Sequence, residues 1–210
     1  MKSARAVRLA FGILVTLLGL CSVLFPVSAA TYRADSVKAA FLYRFTGYVD
    51  WPAQALSQPM FTIAVLGSDA VAEELGPILS GRSIKNLPAK ARSIQAIDEI
   101  ADAQLLYVGP DYNGDLRSVV EALAGQPVLV VTDHERGLNE GSVVNFLLVD
   151  QRVRFEVSLP AAAKLGLKLD PALLSVATRV LGSPRSELPC MPVVPPQAED
   201  WVCLSRLASL

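Results

Sequence analysis

Between residues 60 and 160, short unbroken apolar runs alternate with stretches whose apolar residues recur every three or four positions. FTIAVLG (Phe61 to Gly67), QLLYVG (Gln104 to Gly109) and PVLVVTD (Pro127 to Asp133) are rich in aliphatic and β-branched residues and nearly free of charge, the signature of strands buried on both faces. GSDAVAEELGPIL follows the first run and predicts a helix capped by Ser68 or Asp69. Asp115 to Ala124 predicts another, with Leu116, Val119, Val120 and Leu123 on one face. Between them a strand is expected around Ala89 to Arg92 and a short helix over Ile94 to Ala103. SVVNFLLVDQRVRFEVSL (Ser142 to Leu159) holds two further runs split by VDQR, which has hairpin character. Pro160 to Gly166 and Pro171 to Leu181 read as helical.

Upstream, VKAAFLYRFTGYVDWP (Val37 to Pro52) packs five aromatic residues into sixteen positions, dense for a chain that is 7% aromatic. Asp35 or Ser36 can cap a helix reaching about Val49, with Val37, Phe41, Phe45 and Tyr48 on one stripe. Trp51-Pro52 stops it, because proline disfavours helix at the residue before it. Buried strands alternating with amphipathic helices predict an α/β fold: a single doubly wound, mostly parallel sheet with helices on both faces and an antiparallel hairpin, Phe146 to Val157, at its edge.

The ends of the chain differ from this body. MKSARAVR carries three bases and no acid, Leu9 to Phe25 carries no charge, and VSAA ends the segment. That layout predicts a signal peptide over residues 1–30, cleaved after Ala29 or Ala30, and hence export. The apolar run is near the lower length of a spanning helix, so a retained anchor is the alternative. Leu20 is too bulky to precede a lipidated Cys21. The domain then covers 31–182. Beyond Gly182, SPRSELPCMPVVPPQAED has five prolines and no periodicity, which marks 183–210 as a proline-rich tail. Its Cys190 and Cys203, twelve residues apart in between, form a disulfide most simply in an oxidising compartment.

Charge narrows the partners. Without the leader, 16 Lys and Arg face 20 Asp and Glu, which argues against the basic face that nucleic acid requires. Candidate chemistry is sparse. Ligands of doubly wound sheets sit beyond the strand carboxyl ends, here marked by Asp69, Asp111 and Asp133. These acids either line a ligand crevice or cap the turns that follow. The chain has one histidine, His134, in the polar turn TDHERG, where solvent is expected around it. No phosphate-binding glycine loop, nucleophile elbow, paired-cysteine motif or HExxH occurs, so no catalytic residue, metal site or cofactor is assigned. Arg154 and Glu156 alternate with Val153, Phe155 and Val157, and define either a wet strand face or a partner surface. Tyr43 and Trp51 fall off the first helix's stripe and are either boundary residues or partner anchors.

The segments VKAAFLYRFTGYVDWP, FTIAVLGSDAVAEEL, LLYVG, GQPVLVVTD and GSVVNFLLVDQRVRFEVSLPAAAKLGLKLDPALLSVA together resemble the YfiR-like periplasmic regulators, over about Val37 to Leu181. The resemblance implies a non-enzymatic exported α/β protein that restrains an inner-membrane diguanylate cyclase by binding its periplasmic sensor region. An outer-membrane lipoprotein would relieve that restraint by capturing the regulator. It also implies homodimers, and redox sensitivity through disulfides. Here no cysteine lies between Ala30 and Pro189, so any redox behaviour rests on Cys190 and Cys203. A small-molecule-sensing module partnering a sensor kinase or another membrane receptor is the alternative function.

Overall fold

The computed structural model describes residues 28–182, with side chains from residue 34 onward. The chain divides before Asp35; of the leading unit only the helical residues 28–34 are described. Residues 1–27 of the predicted leader, the tail and the Cys190–Cys203 pair therefore lie outside the described residues, and residues 28–30 open the first helix.

Helix α1 spans Ser28–Phe45. It ends earlier than the Trp51-Pro52 signal suggests. The Thr46 hydroxyl donates to the Tyr43 carbonyl at 2.6 Å, and successive turn bonds carry the chain out through Gly47 and Tyr48. Its buried stripe is Ala39, Leu42 and Phe45, with Phe41 half-buried beside them. The expected stripe is thus rotated: Val37 is 37% exposed, and Tyr48, left outside the helix, is 39% exposed.

The strands that follow are β1 (Val49–Asp50), β2 (Phe61–Leu66), β3 (Ser83–Ile84), β4 (Leu87–Ile94), β5 (Leu105–Val108), β6 (Leu129–Thr132), β7 (Val144–Val149), β8 (Arg152–Ser158), β9 (Lys168–Leu169) and β10 (Arg179–Leu181). Helix α2 (Asp69–Leu79) joins β2 to β4, and α3 (Leu116–Ala122) joins β5 to β6. The short α4 (Leu159–Lys164) and α5 (Pro171–Val176) follow β8. The caps behave as their residue types require: Ser68, Asp115, Ser158 and Asp170 each accept a backbone N–H from the first turn of the helix they precede. Residues Ile97–Ile100 form a 3-10 turn rather than the expected short α-helix. Residues 179–181 are strand rather than helix; the helix ends at Val176, and Thr178 N–H bonds the Phe155 carbonyl at the head of the β8 ladder.

Eight strands make one sheet in the order β10-β8-β7-β6-β5-β2-β4-β3, and β1 pairs β9 separately. β4, β2, β5, β6 and β7 run parallel. From β2 the chain moves one way to β4 and then back past β2 to β5, so the order of winding reverses between β2 and β5. Right-handed crossovers in opposite directions put α2 and α3 on opposite faces. β7 and β8 form the expected antiparallel hairpin, but it is not the edge: β10 pairs parallel outside β8, and the second antiparallel hairpin, β3–β4, closes the other side. Each hairpin turns on two residues with positive φ, Lys85-Asn86 and Asp150-Gln151, the backbone of a primed two-residue turn.

Strand alternation assigns the core. On one face Phe146 and Phe155 meet Phe41 and Phe45 of α1 with ring centroids 5.0–6.1 Å apart. Two of the five aromatics in the opening segment, Phe41 and Phe45, thus dock α1 on β7–β8. On the other face Thr132, Asn145, Glu156 and Arg179 stand directly opposite one another across β6, β7, β8 and β10. They form a bonded row: Thr132 Oγ1 to Asn145 Oδ1 at 2.7 Å, Asn145 Nδ2 donating to Glu156 Oε1 at 3.1 Å, and Arg179 pairing Glu156 Oε2 at 2.6 Å.

Candidate functional site

In a doubly wound sheet a ligand crevice lies beyond the strand carboxyl ends. There the backbone closes on itself. Gly109 N–H donates to the Leu66 carbonyl at 2.8 Å and Asp111 N–H to the Gly67 carbonyl at 3.1 Å. A Cβ on Gly109 would strike the Gly67 carbonyl, and one on Gly67, whose φ is +69°, would strike the Tyr112 backbone. The two loops that would flank a crevice at the β2/β5 switch point are in contact.

The three acids do different things. Asp69 accepts from the Ser93 hydroxyl at 3.0 Å in the first turn of α2. Asp111 is exposed. Asp133 pairs Lys38 of α1 at 2.7 Å, and Lys38 also reaches Asp35 at 3.4 Å. Tyr107, buried beside Asp133, has its phenol pushed far above the usual range, first by burial and then by the Asp133 carboxylate. Among the described residues no group of three His, Cys, Asp or Glu could hold a metal ion. His134 is half-buried rather than solvated, with Nε2 3.1 Å from the Gly109 carbonyl. That ring nitrogen carries the proton, since a carbonyl can only accept.

The residues singled out as partner anchors also separate. Trp51 is buried: its indole N–H donates to the Gln104 carbonyl at 3.1 Å, and its ring meets Phe61 edge to face at 5.2 Å. It is core, because the chain folds back after α1 to lay the indole against the start of β2. Glu156 is also buried, at 4% exposure, because it lies on the sheet face that carries the polar row. Arg154, two residues away toward the hairpin tip, is exposed as expected. Beside it the tip presents Leu148, 67% exposed, and Val149.

Tyr43 stays at the surface, half-buried, with the Arg82 guanidinium 5.2 Å over its ring. It borders a cleft of about 380 Å³ between the end of α1 and the β3–β4 hairpin, lined also by Arg44, Tyr48, Ile84 and Lys85. No local sequence pattern links Arg82 and Lys85 to Tyr43, because they lie some forty residues from it. Only pairing of β3 with β4 brings them there. A larger cavity of about 620 Å³ lies between α3, the 138–141 turn and α4, where Arg117 pairs Glu140 at 3.3 Å.

A family model described as YfiR/HmsC-like matches residues 35–178, most of the chain and nearly all of the described body. The chain belongs to the YfiR/HmsC-like family. That family is periplasmic, is regulatory rather than catalytic, and is known for regulation in cyclic di-GMP signalling. Among the described residues no helix is long and apolar enough to cross a membrane. Among solved structures, an ABC domain in complex with L-Trp from Streptococcus pneumonia is similar with a TM-score of 0.48 and 14% identity, over 68% of this chain and 62% of that one. A conserved domain protein from Vibrio cholerae O1 biovar El Tor is similar with a TM-score of 0.47 and 12% identity, over 70% and 60%. This chain thus spans about three fifths of the length of each.

Proposed function

We propose that this YfiR/HmsC-like protein is a non-enzymatic periplasmic regulator that binds and restrains an inner-membrane diguanylate cyclase, lowering cyclic di-GMP and biofilm formation. The observation that carries the reading is the family match over residues 35–178. The geometry of the strand ends supports it: the carboxylates Asp69 and Asp133 are held by Ser93 and Lys38, and the loops there pack on each other. Function then falls to surfaces, and Tyr43 on α1 and Arg154 near the hairpin tip are the contact residues that remain accessible. Capture by an outer-membrane lipoprotein, homodimer formation, cleavage of the leader after Ala29 or Ala30 and a Cys190–Cys203 disulfide belong to the same reading.

The test is genetic and biochemical. Deleting the gene should raise cyclic di-GMP and surface attachment, and the wild-type copy should restore both. Tyr43→Ala should remain folded by circular dichroism yet complement poorly. An interface anchor truncated in this way often costs about 2 kcal/mol, roughly thirtyfold in affinity. Unchanged cyclic di-GMP on deletion overturns the regulator reading. Full complementation by Tyr43→Ala removes only the anchor assignment.

A further inference from the structure

We infer that the cleft between the end of α1 and the β3–β4 hairpin is a docking site for an acidic segment of a protein partner. The inference deepens the regulator reading and rests on it. Charge is its foundation. Over residues 35–182 acids outnumber bases, 17 to 13, yet this end of the molecule gathers Arg44, Arg82 and Lys85 around one cleft. Lys85 meets the Asp50 carboxylate at 3.3 Å, and Asp50 is itself 81% exposed. Among the described residues neither Arg44 nor Arg82 has a carboxylate within ion-pair distance. The acids Asp69, Asp111 and Asp133 lie away from the cleft, at the carboxyl ends of the strands.

The cleft also has the shape and surface for a peptide. At about 380 Å³ it takes one or two side chains rather than a whole helix. Tyr43 and Tyr48 form its walls, and Ile84 supplies an apolar floor. The Arg82 guanidinium rests on the Tyr43 ring and bonds its hydroxyl at 3.5 Å, so the ring and one cation are already oriented. Cations beside aromatic side chains can recognise carboxylates flanking an apolar or aromatic side chain. Complementary charge would speed encounter and select this class of segment over neutral ones.

The experiment uses the mature protein and three probes: a fluorescein-labelled decapeptide of alternating Asp and Glu with one central Phe, its Asn/Gln counterpart, and phosphatidylglycerol vesicles. Fluorescence anisotropy should show saturable binding of the acidic peptide, at least tenfold weaker binding of the Asn/Gln peptide, and weakening as salt screens the charges. The double variant Arg44→Glu, Lys85→Glu should lose at least tenfold in affinity with an unchanged circular dichroism spectrum; if it fails to fold, Arg44→Gln alone should lose at least threefold. Equal binding of both peptides, undiminished binding by the folded variants, or binding to the vesicles in place of the peptide overturns the proposal. In cells the folded variant should fail to restore low cyclic di-GMP to the deletion strain. If it restores it fully, the cleft proposal falls while the regulator reading, which rests on the deletion itself, stands.

Discussion

Replacing Trp51 separates a core residue from an interface residue at the position where the sequence left both readings open. In Trp51→Ala the loss has three parts. Emptying a buried Trp site typically destabilises by about 3–5 kcal/mol, transfer and cavity terms together. Within that range fall the edge-to-face contact with Phe61, about 0.5–1.5 kcal/mol, and the indole N–H bond to Gln104, about 0.5–1.5 kcal/mol. The Gln104 carbonyl is not orphaned, because it also accepts from the Leu129 N–H at 2.9 Å, so no further desolvation term is added. Trp51→Phe keeps an aromatic ring against Phe61 and loses the bond and part of the area, about 1–2 kcal/mol. Urea unfolding followed by far-UV circular dichroism reads both. With an m-value of about 1–3 kcal/mol/M, Trp51→Ala should lower the midpoint by about 1 M or more, and Trp51→Phe should fall between it and the wild type. A midpoint shift below about 0.3 M in Trp51→Ala, combined with lost partner binding, would refute the core assignment and restore Trp51 as an anchor.

Tyr107 predicts alkaline sensitivity. Its phenol is raised in the folded state, so stability is intact below the unfolded value near 10; above it the unfolded chain releases a proton that the folded chain retains. The stability gap between wild type and Tyr107→Phe should therefore shift against the wild type by about 1.4 kcal/mol per pH unit above pH 10, measured by urea titration at each pH. Arg179→Ala leaves the buried Glu156 carboxylate with only Asn145, and should destabilise by about 1–3 kcal/mol, less than for a fully buried pair because the Arg179 side chain is half exposed. Adding Glu156→Gln should recover part of that loss, and equal midpoints for single and double variants would contradict the uncompensated-charge account. Gln151 has φ of +58° in the β7–β8 turn; Gln151→Gly relieves about 1–2 kcal/mol of left-handed strain against about 0.4–1 kcal/mol of added unfolded-state entropy, and should raise stability by up to about 1 kcal/mol in thermal unfolding. Gly109→Ala should instead prevent the β2 and β5 loops from closing and lower the melting temperature by several degrees.

Much of the architecture follows from local pattern. The short, β-branched apolar runs at Phe61, Leu105 and Leu129, bounded by turn residues, read as strands covered on both sides, and Ser68 and Asp115 cap the helices they precede. Periodicity carries that information because it is local: each side chain's direction is set by its own backbone. The motif segments that resemble the YfiR-like family are legible for the same reason, and the family match covers nearly the same residues.

Pairing and burial are decided by residues far apart in sequence. Glu156 alternates correctly for a wet face, yet it is buried, because β10 and β7 flank β8 and place Arg179 and Asn145 in register with it. The last strand was legible only as an extension of the helix before it, since Arg179–Leu181 becomes a strand by finding the open edge of β8. Trp51 is core because Gln104 and Phe61 meet it. Tyr43 remains at the surface beside cations that the β3–β4 hairpin delivers from forty residues away. The sequence by itself determines which residues are apolar, how they repeat and where helices begin. Which polar side chain ends buried, and which cations share a cleft, depend on long-range strand register, and no local pattern encodes it.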